Sequence, residues 1–241
     1  MGVHLADLWS ETEFSRLVGN GEAWLRSEGT AMAVARVRGD FEREIEALGG
    51  MGYQEVRRTN FSELDLVAHR EELLATAAQE RRSMQAQGVK LLTLSEDEDS
   101  ERMSKLYEMM IATEQDIPTT VPIVTLPFDE WTQATFDDPG VRKDRFWIAR
   151  EGDAIVGLSY LQFPPTRGLP WTGFTSTTRK VRGRGIARAL KYESMAQAIQ
   201  LGYKRVRTAN DGANAPILHI NKAMGYRLVV PLIELHRTLD Q

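Results

Sequence analysis

The chain has 241 residues, 42% of them hydrophobic, which is enough for one large domain or for a full domain with a smaller one. Its formal net charge of −4 argues against a general nucleic-acid-binding protein, because such proteins use Lys and Arg to neutralise phosphates. The chain contains no cysteine, which excludes disulfides and cysteine nucleophiles, and its four histidines lack ligand-like spacing, so no metal site is predicted.

The first 66 residues predict the order helix, strand, helix, strand. Gly29 ends the first helix, because a glycine after the last turn adopts the left-handed conformation that stops a helix. Met51-Gly52-Tyr53 stands between the second helix and the second strand, and that strand contains Glu63-Leu64. Residues 67–88 are rich in Ala, Glu, Gln and Arg and predict a helical connector.

Strands and helices alternate from Val89 onward. Residues 115–127 contain three prolines and several Thr and Val residues, which resist helix formation and predict an extended connection. Glu151-Gly152-Asp153 suits the turn of a hairpin. The predicted elements of this part are a strand at 89–94, a helix at 98–112, a short helix at 128–136 and strands at 145–150 and 154–163.

The last part of the chain predicts a β-α-β-α-β order. A strand follows Gly168 and ends near Thr177, and a glycine turn then leads into an amphipathic helix at 186–201 that Gly202 ends. The remaining elements are a strand at 203–208, a helix at 215–224 and a closing strand at 226–235 that Pro231 interrupts. The pattern predicts a mixed α/β (α+β) fold with antiparallel hairpins first.

An internal repeat is predicted from shared spacing. Met51-Gly52-Tyr53 echoes Met224-Gly225-Tyr226, and Gly29 and Gly202 each lie 23 residues before the glycine of their triplet. We interpret residues 1–66 as a truncated copy of the second half of the later domain. The same spacing places the counterpart of the later glycine turn at Thr12, in an acidic segment without glycine, so no phosphate is expected there.

The turn Arg182-Gly183-Arg184-Gly185-Ile186-Ala187 has the composition of a phosphate-binding loop. A glycine turn before a helix directs unpaired N–H groups at an anion, and glycine lets the backbone approach closely. The turn lies in a local positive patch of an acidic chain, which indicates a small anionic ligand or, alternatively, a solvated helix face. The patch consists of Arg179, Lys180, Arg182, Arg184, Arg188 and Lys191.

Two other phosphate motifs do not fit this turn. A dinucleotide fingerprint needs a third small residue where Arg188 stands, and a P-loop needs Gly-Lys followed by Ser or Thr. The turn instead resembles the cofactor signature of the GNAT (GCN5-related) N-acetyltransferase superfamily, Arg/Gln-x-x-Gly-x-Gly/Ala, at Arg182, Gly185 and Ala187. The segment from Asn214 to Tyr226 resembles the last helix and following strand start of that family.

The resemblance covers residues 89–241 and implies a GNAT fold. This fold has a mixed, mostly antiparallel sheet with splayed central strands flanked by helices, here preceded by a partial GNAT-like half-domain. The duplication is similar to tandem GNAT proteins, in which one copy can lose its cofactor site. The implied domains are a half-domain without cofactor site at 1–66, the helical connector at 67–88 and a catalytic domain at 89–241.

Acetyl-CoA is the acyl donor that the resemblance implies. In relatives it lies between two splayed strands, where strand N–H groups polarise the thioester carbonyl and the glycine turn holds the pyrophosphate. Asn210 fits an asparagine-rich branch of the family, and Asn214 resembles a residue that binds the cofactor arm, although a helix N-cap explains it equally well. The implied cofactor-binding residues are Thr175, Ser176, Thr177, Arg182, Gly183, Arg184, Gly185, Ile186, Ala187, Arg188, Asn210 and Asn214.

The catalytic acid and base have weaker signals. Many relatives place a proton-donating tyrosine where this chain has Asn221, which can donate a hydrogen bond but has no proton to transfer at neutral pH. His219 is an alternative acid or a packing residue. Relatives often have a strand glutamate as base, whereas residues 171–178 contain no carboxylate. Glu114 and Asp116 are the nearest substitutes, or else an ordinary polar helix end.

The predicted function is transfer of an acetyl group from acetyl-CoA to a primary amine of a small molecule. Two alternatives stay open: a non-catalytic CoA-binding or sensor module, and acylation of a protein or peptide amine. No apolar run approaches the roughly 18 residues of a membrane span, and the N-terminal residues do not suit a signal peptide. We expect a cytoplasmic protein without nucleic-acid or membrane partners, and a homodimer is left open.

Overall fold

The structure is a computed structural model that describes residues 9–117, 119–120, 122–164 and 168–239. The described residues contain helices and strands in alternation, which confirms the predicted α/β fold class. In chain order they are α1 (Glu11–Ser27), β1 (Met32–Arg38), α2 (Glu42–Gly50), β2 (Gln54–Asp65), α3 (Arg70–Ala86), β3 (Val89–Thr93), α4 (Arg102–Glu114), α5 (Phe128–Phe136), β4 (Phe146–Glu151), β5 (Ala154–Gln162), β6 (Trp171–Thr177), α6 (Ile186–Gln200), β7 (Arg205–Asp211), α7 (Ala215–Ala223) and β8 (Arg227–Thr238).

Two of the differences between the predicted and the observed elements have a clear local cause. The helix predicted from residue 98 begins at Arg102, because the Asp99 carboxylate accepts from the Glu101 N–H at 2.8 Å and forms a turn ahead of it. The closing strand was expected to break at Pro231, yet β8 runs through it. Pro231 lies opposite Gly39, just past the end of β1, so its missing N–H removes no bond of that ladder. The loops predicted around 118, 121 and 165–167 lie partly outside the described residues.

The chain divides into two compact units, of which the first is Met1–Phe61, Ala209–Ala215 and Leu228–Gln241. In this unit β8 lies between β1 and β2, and β1 pairs with it antiparallel from Met32 opposite Thr238 to Arg38 opposite Leu232. Its core is formed by apolar side chains of β1, α2 and β8 and of the residues just before β2 and just after β8, namely Ala33, Leu48, Tyr53, Ile233, Leu235 and Leu239. The domain limits inferred from the sequence stay a prediction.

The second unit is Ser62–Thr208 and Pro216–Arg227. Its strands follow the order β3-β4-β5-β6-β7, with antiparallel pairs from β3 to β6 and a parallel contact between β6 and β7. Helix α6 packs on β5, where a Cβ on Gly157 would lie 3.0 Å from Leu190 and 3.1 Å from Ile186. This glycine therefore lets the helix approach the strand closely.

Strands β6 and β7 separate soon after they begin. The pair Trp171 opposite Arg207 is the one register position that joins them within the described residues, supported by an N–H···O bond of 2.9 Å from Arg207 to Pro170. Parallel neighbours normally share a row of evenly spaced bonds. A wedge therefore opens between the two strands beyond this pair, as the splayed central strands of the prediction require.

The two segments related by the predicted repeat have the same element order. Gly29 and Gly202 follow α1 and α6 with φ of 73° and 83°, and Gly52 and Gly225 precede β2 and β8 with φ of 89° and 92°. Thr12 lies in the first turn of α1, where Ser10 forms a capping box with Glu13 and satisfies N–H groups that a phosphate would need. Descent from one copied half-domain stays an interpretation.

The described part of the chain contains no helix long and apolar enough to cross a membrane. Nor do its His, Asp and Glu side chains form a group of three or more that could hold a metal ion.

Candidate acyl-donor site

The glycine turn opens the N-terminus of α6 towards solvent. Gly183 and Gly185 have φ of 80° and 85°, the left-handed region that only glycine adopts without strain. Gly185 is the N-cap of α6 and has no side chain that could close the cap. The first intrahelical bond is donated by Ala189, so the N–H groups of the preceding helical residues Ile186, Ala187 and Arg188 have no acceptor within the helix. These N–H groups form an anion-binding arrangement.

Four arginines of the positive patch form ion pairs with carboxylates. The side chains of these arginines are 32% to 71% exposed, whereas those of their carboxylate partners are 9% to 40% exposed. An ion pair that is exposed on both sides contributes at most about 1 kcal/mol. The pair of Arg184 with Glu151 is exposed on both sides, so an incoming phosphate can replace this carboxylate at little cost. The pairs are Arg179 and Arg182 with Asp116, Arg184 with Glu151 at 2.9 Å, and Arg188 with Glu80 at 2.8 Å.

Asp116 forms ion pairs with two arginines of the patch. Hydrogen bonds from Arg179 and then Arg182 lower its pKa to about 2. A carboxylate with this pKa accepts a proton poorly at neutral pH, since basicity falls with pKa. The structure thus brings Asp116 to the turn, and its predicted role as a base stays a prediction.

The end of α4 lies against β6. Thr113 is buried, and its hydroxyl lies 3.1 Å from the hydroxyl of Ser176. Glu114, the last residue of α4, follows directly and is half-buried. This contact brings the candidate base Glu114 close to the strand that the sequence assigned to the thioester.

The segment Thr175, Ser176 and Thr177 lies on the wedge side of β6. It pairs with β5 along its other edge, with Ser159 opposite Thr175 and their hydroxyls 2.9 Å apart. The Thr177 carbonyl accepts from the Arg182 side chain at 3.4 Å, which connects the strand to the turn. The backbone edge facing the wedge is therefore available to an extended ligand.

The asparagines lie on β7 and α7. Asn210 is a residue of β7, and Asn214 directly precedes α7; both are half-buried and grouped with the first compact unit. Asn221 is 4% exposed, and its backbone carbonyl accepts from the Tyr226 N–H at 3.0 Å. His219 is exposed and stays without an assigned role. The predicted roles of the three asparagines stay predictions.

Two residues near the turn were missed or misplaced by the sequence. Glu80 on α3 is 7% exposed, and one of its carboxylate oxygens would lie 4.0 Å from a Cβ on Gly185. Lys191 was grouped with the surface patch, but it is 1% exposed and belongs to the interior. Its spacing of four residues from buried Met195 on one helix face is the signal that could have placed it.

A match to a protein family covers the turn and the last helix. Residues 107–226 match the model described as the acetyltransferase (GNAT) family. No protein with a curated description matches the chain.

Solved structures share the fold. A GCN5-related N-acetyltransferase from Sphaerobacter thermophilus has a TM-score of 0.67 and 19% identity, over 94% of this chain and 68% of that one. A tandem GNAT protein from the clavulanic acid biosynthesis pathway, solved without AcCoA, has a TM-score of 0.66 and 16% identity, over 94% of this chain and 70% of that one. A GCN5-related N-acetyltransferase from Kribbella flavida has a TM-score of 0.57 and 13% identity, over 95% of this chain and 76% of that one. At such identities the similarity establishes the fold alone.

Proposed function

Because residues 107–226 belong to the acetyltransferase (GNAT) family, we propose that this chain transfers an acetyl group from acetyl-CoA to a primary amine of a small molecule. The observation that carries the proposal is the open turn at the N-terminus of α6, with two left-handed glycines, next to the wedge between β6 and β7. Fold alone would not be sufficient, since one fold hosts many functions.

The donor would be held at two points. The N–H groups that follow Gly183 and Gly185 would bind its pyrophosphate, and Arg182 and Arg188 would exchange their carboxylate partners for phosphate oxygens. The pantetheine arm would extend along the free edge of β6 towards Trp171. The N–H groups of Thr175–Thr177 would polarise the thioester carbonyl and stabilise the oxyanion that forms on attack.

The acceptor would attack from the side of α4. Glu114 is the better candidate for the base, since its neighbour Thr113 contacts β6 and Asp116 is held by two arginines. Asn221 would donate a hydrogen bond without transferring a proton. Proximity of the amine and the thioester would supply much of the rate enhancement.

The experiment has two stages. Calorimetry first measures binding of CoA and acetyl-CoA, and labelled acetyl-CoA is then offered with a panel of small primary amines and a panel of peptides. We expect micromolar or tighter donor binding and label transfer to at least one small amine. Binding without transfer to any acceptor would identify a CoA-binding module, and transfer to peptides alone would identify a protein acyltransferase. Absence of donor binding would overturn the proposal.

A further inference from the structure

Two hydroxyl groups meet where the end of α4 packs on β6. The hydroxyl oxygens of Thr113 and Ser176 lie 3.1 Å apart, and Thr113 is buried whereas Ser176 is half-buried. Within the described part of the chain the Ser176 hydroxyl makes no other hydrogen bond. A hydroxyl donates one hydrogen and accepts through two lone pairs, so the direction of this bond decides what Ser176 offers to a ligand.

The Thr113 hydroxyl donates to its own helix. Its oxygen lies 3.1 Å from the carbonyl oxygen of Met109 and 3.2 Å from that of Met110, both one turn earlier in α4. A carbonyl oxygen can only accept, so the single hydrogen of Thr113 is committed to these two acceptors. Ser176 is therefore the donor to Thr113. Its hydrogen points to α4, and the lone pairs of its oxygen are available to another donor.

Ser176 lies on the face of the sheet that α4 covers. It pairs with Leu158 of β5, which belongs to the core cluster between the sheet and α4. Its neighbour Thr175 points to the opposite face, because side chains alternate along a strand. Glu114, the proposed base, directly follows Thr113 in α4. The Ser176 oxygen therefore lies on the side from which the acceptor would attack.

The face of β6 towards α4 offers this oxygen next to an apolar neighbour. Phe174, two residues earlier on the same face, packs against the core cluster of α4. Residues 171–178 contain no carboxylate. The Ser176 oxygen is thus the polar side-chain atom that this face presents beside the thioester segment.

We infer that Ser176 is a catalytic residue whose hydroxyl oxygen accepts a hydrogen bond from the attacking amine, and that Thr113 positions this hydroxyl. The inference rests on the proposed function, in which the N–H groups of Thr175–Thr177 polarise the thioester carbonyl. With the thioester there, the side chain of Ser176 would border the path of the amine to the carbonyl carbon. An N–H held by Ser176 would leave the nitrogen lone pair directed at that carbon.

This contact would select primary amines. A neutral primary amine has two N–H groups and one lone pair. The lone pair forms the bond to the carbonyl carbon, one N–H proton passes to the base and then to water, and the other N–H is held by Ser176 and stays in the amide. The carbon–sulfur bond breaks with its electron pair on sulfur, which takes up a proton from water. A secondary amine has a single N–H, which the base requires, so Ser176 would contribute nothing to its reaction.

The test compares amines of similar basicity that differ in their number of N–H groups. Methylamine and dimethylamine are offered with labelled acetyl-CoA at alkaline pH, where part of each amine is neutral, and the best small amine of the panel is compared with its N-methyl derivative. We expect Ser176→Ala to lower kcat/KM for the primary amines by about three- to tenfold, the contribution of one hydrogen bond, and to leave it unchanged within about twofold for the secondary amines.

Variants of Thr113 test the positioning role. Thr113→Val removes the acceptor of the Ser176 hydrogen and lets this hydroxyl rotate, so we expect a loss of about two- to fivefold that is again confined to primary amines. Thr113→Ser keeps the hydroxyl and should keep the wild-type rate. Ser104→Ala, an exposed serine of the same helix, is the control.

Each outcome has a separate meaning. No loss for primary amines in Ser176→Ala, or an equal loss for primary and secondary amines, would overturn the inference while leaving the proposed function intact. If the secondary amines react too slowly to measure, the loss for the primary amines must occur at unchanged thermal stability and acetyl-CoA affinity, and a loss that accompanies a change in either contradicts the inference. A wild type that binds no acetyl-CoA, or transfers no label to any amine, would overturn the proposed function and this inference with it.

Discussion

At the scale of single residues, Asp116 illustrates how a structure changes the meaning of a candidate. The sequence placed it next to the acceptor side as a base, and the structure gives it two arginine partners that hold its pKa at about 2. Its partners lie more than sixty residues further along the chain. A pattern read along one segment could not have revealed them.

Replacement of Asp116 distinguishes a role as ion-pair partner of the arginines from a role as catalytic base. We expect Asp116→Asn to keep turnover within a few fold and to bind acetyl-CoA as tightly or up to about five times more tightly, because it frees Arg182 at the cost of an exposed ion pair. Glu114→Gln should lower turnover by about a hundredfold or more if it removes the base. Calorimetry and the label-transfer assay measure both effects, with exposed Asp137→Asn as control. A hundredfold loss of turnover in Asp116→Asn at unchanged donor affinity would support Asp116 as the base.

Lys191 has a consequence for stability. Because its pKa is about 8 in the folded protein against 10.5 as the usual value, the unfolded chain binds more protons between these pH values, and wild-type stability rises with pH there. Lys191→Met removes the buried charge, so at pH 7 we expect its free energy of unfolding to exceed that of the wild type by on the order of 1–3 kcal/mol. Urea unfolding should show a smaller difference in the free energy of unfolding between Lys191→Met and the wild type near pH 10 than at pH 7. A less stable Lys191→Met, with a gap independent of pH, would indicate a packing role.

At the scale of elements, local patterns were informative. The limits of α5 agree with the sequence prediction at both ends, and those of α6 at its start, because a proline, an Asp-Pro-Gly segment and a glycine turn mark them within the segment itself. The start of α4 was mispredicted because ion pairs that no local pattern shows hold the acidic residues ahead of this helix. Asp97 and Asp99 bind Arg150, and Lys105 bridges Asp99 and Asp153.

The glycine turn should act through its backbone conformation. In Gly183→Ala and Gly185→Ala the alanine would have to adopt the left-handed backbone conformation. This costs about 1–2 kcal/mol and misdirects the N–H groups of the turn. We expect both variants to lose acetyl-CoA affinity by about tenfold or more. Gly202→Ala is the matched control, because Gly202 has φ of 83° at the other end of α6 with open space around it. Thermal unfolding should show a similar loss of stability for all three variants. An equal loss of donor affinity in all three would contradict a local role of the turn in donor binding.

At the scale of the whole molecule, the order of strands could not be predicted from the sequence. The repeat suggested a half-domain followed by a catalytic domain at 89–241. In the first compact unit, however, β8 lies between β1 and β2, so the end of the chain packs with its beginning. Which strands become neighbours is decided by packing between segments that lie far apart in sequence, and local periodicity does not report it.

The fragment 89–241 tests this arrangement. Without β1, α2 and β2, strand β8 loses both neighbours, and Ile233, Leu235 and Leu239 lose their core. We expect the fragment to aggregate or to unfold at a much lower temperature than the full chain, since an unpaired apolar strand is an aggregation site. Calorimetry and size-exclusion chromatography measure this. A monomeric fragment with wild-type stability would support the domain limits inferred from the sequence.

The paired arginines around the turn bear on how the protein responds to ionic strength. Asp116, Glu151 and Glu80 already occupy these guanidinium groups, so arrival of a pyrophosphate would exchange one set of anions for another. Little uncompensated positive charge is available to attract the ligand from a distance. Donor affinity should therefore fall only gently as the salt concentration is raised, less steeply than the number of arginines would suggest. The protein would also discriminate against anions too small to reach the backbone donors of the turn.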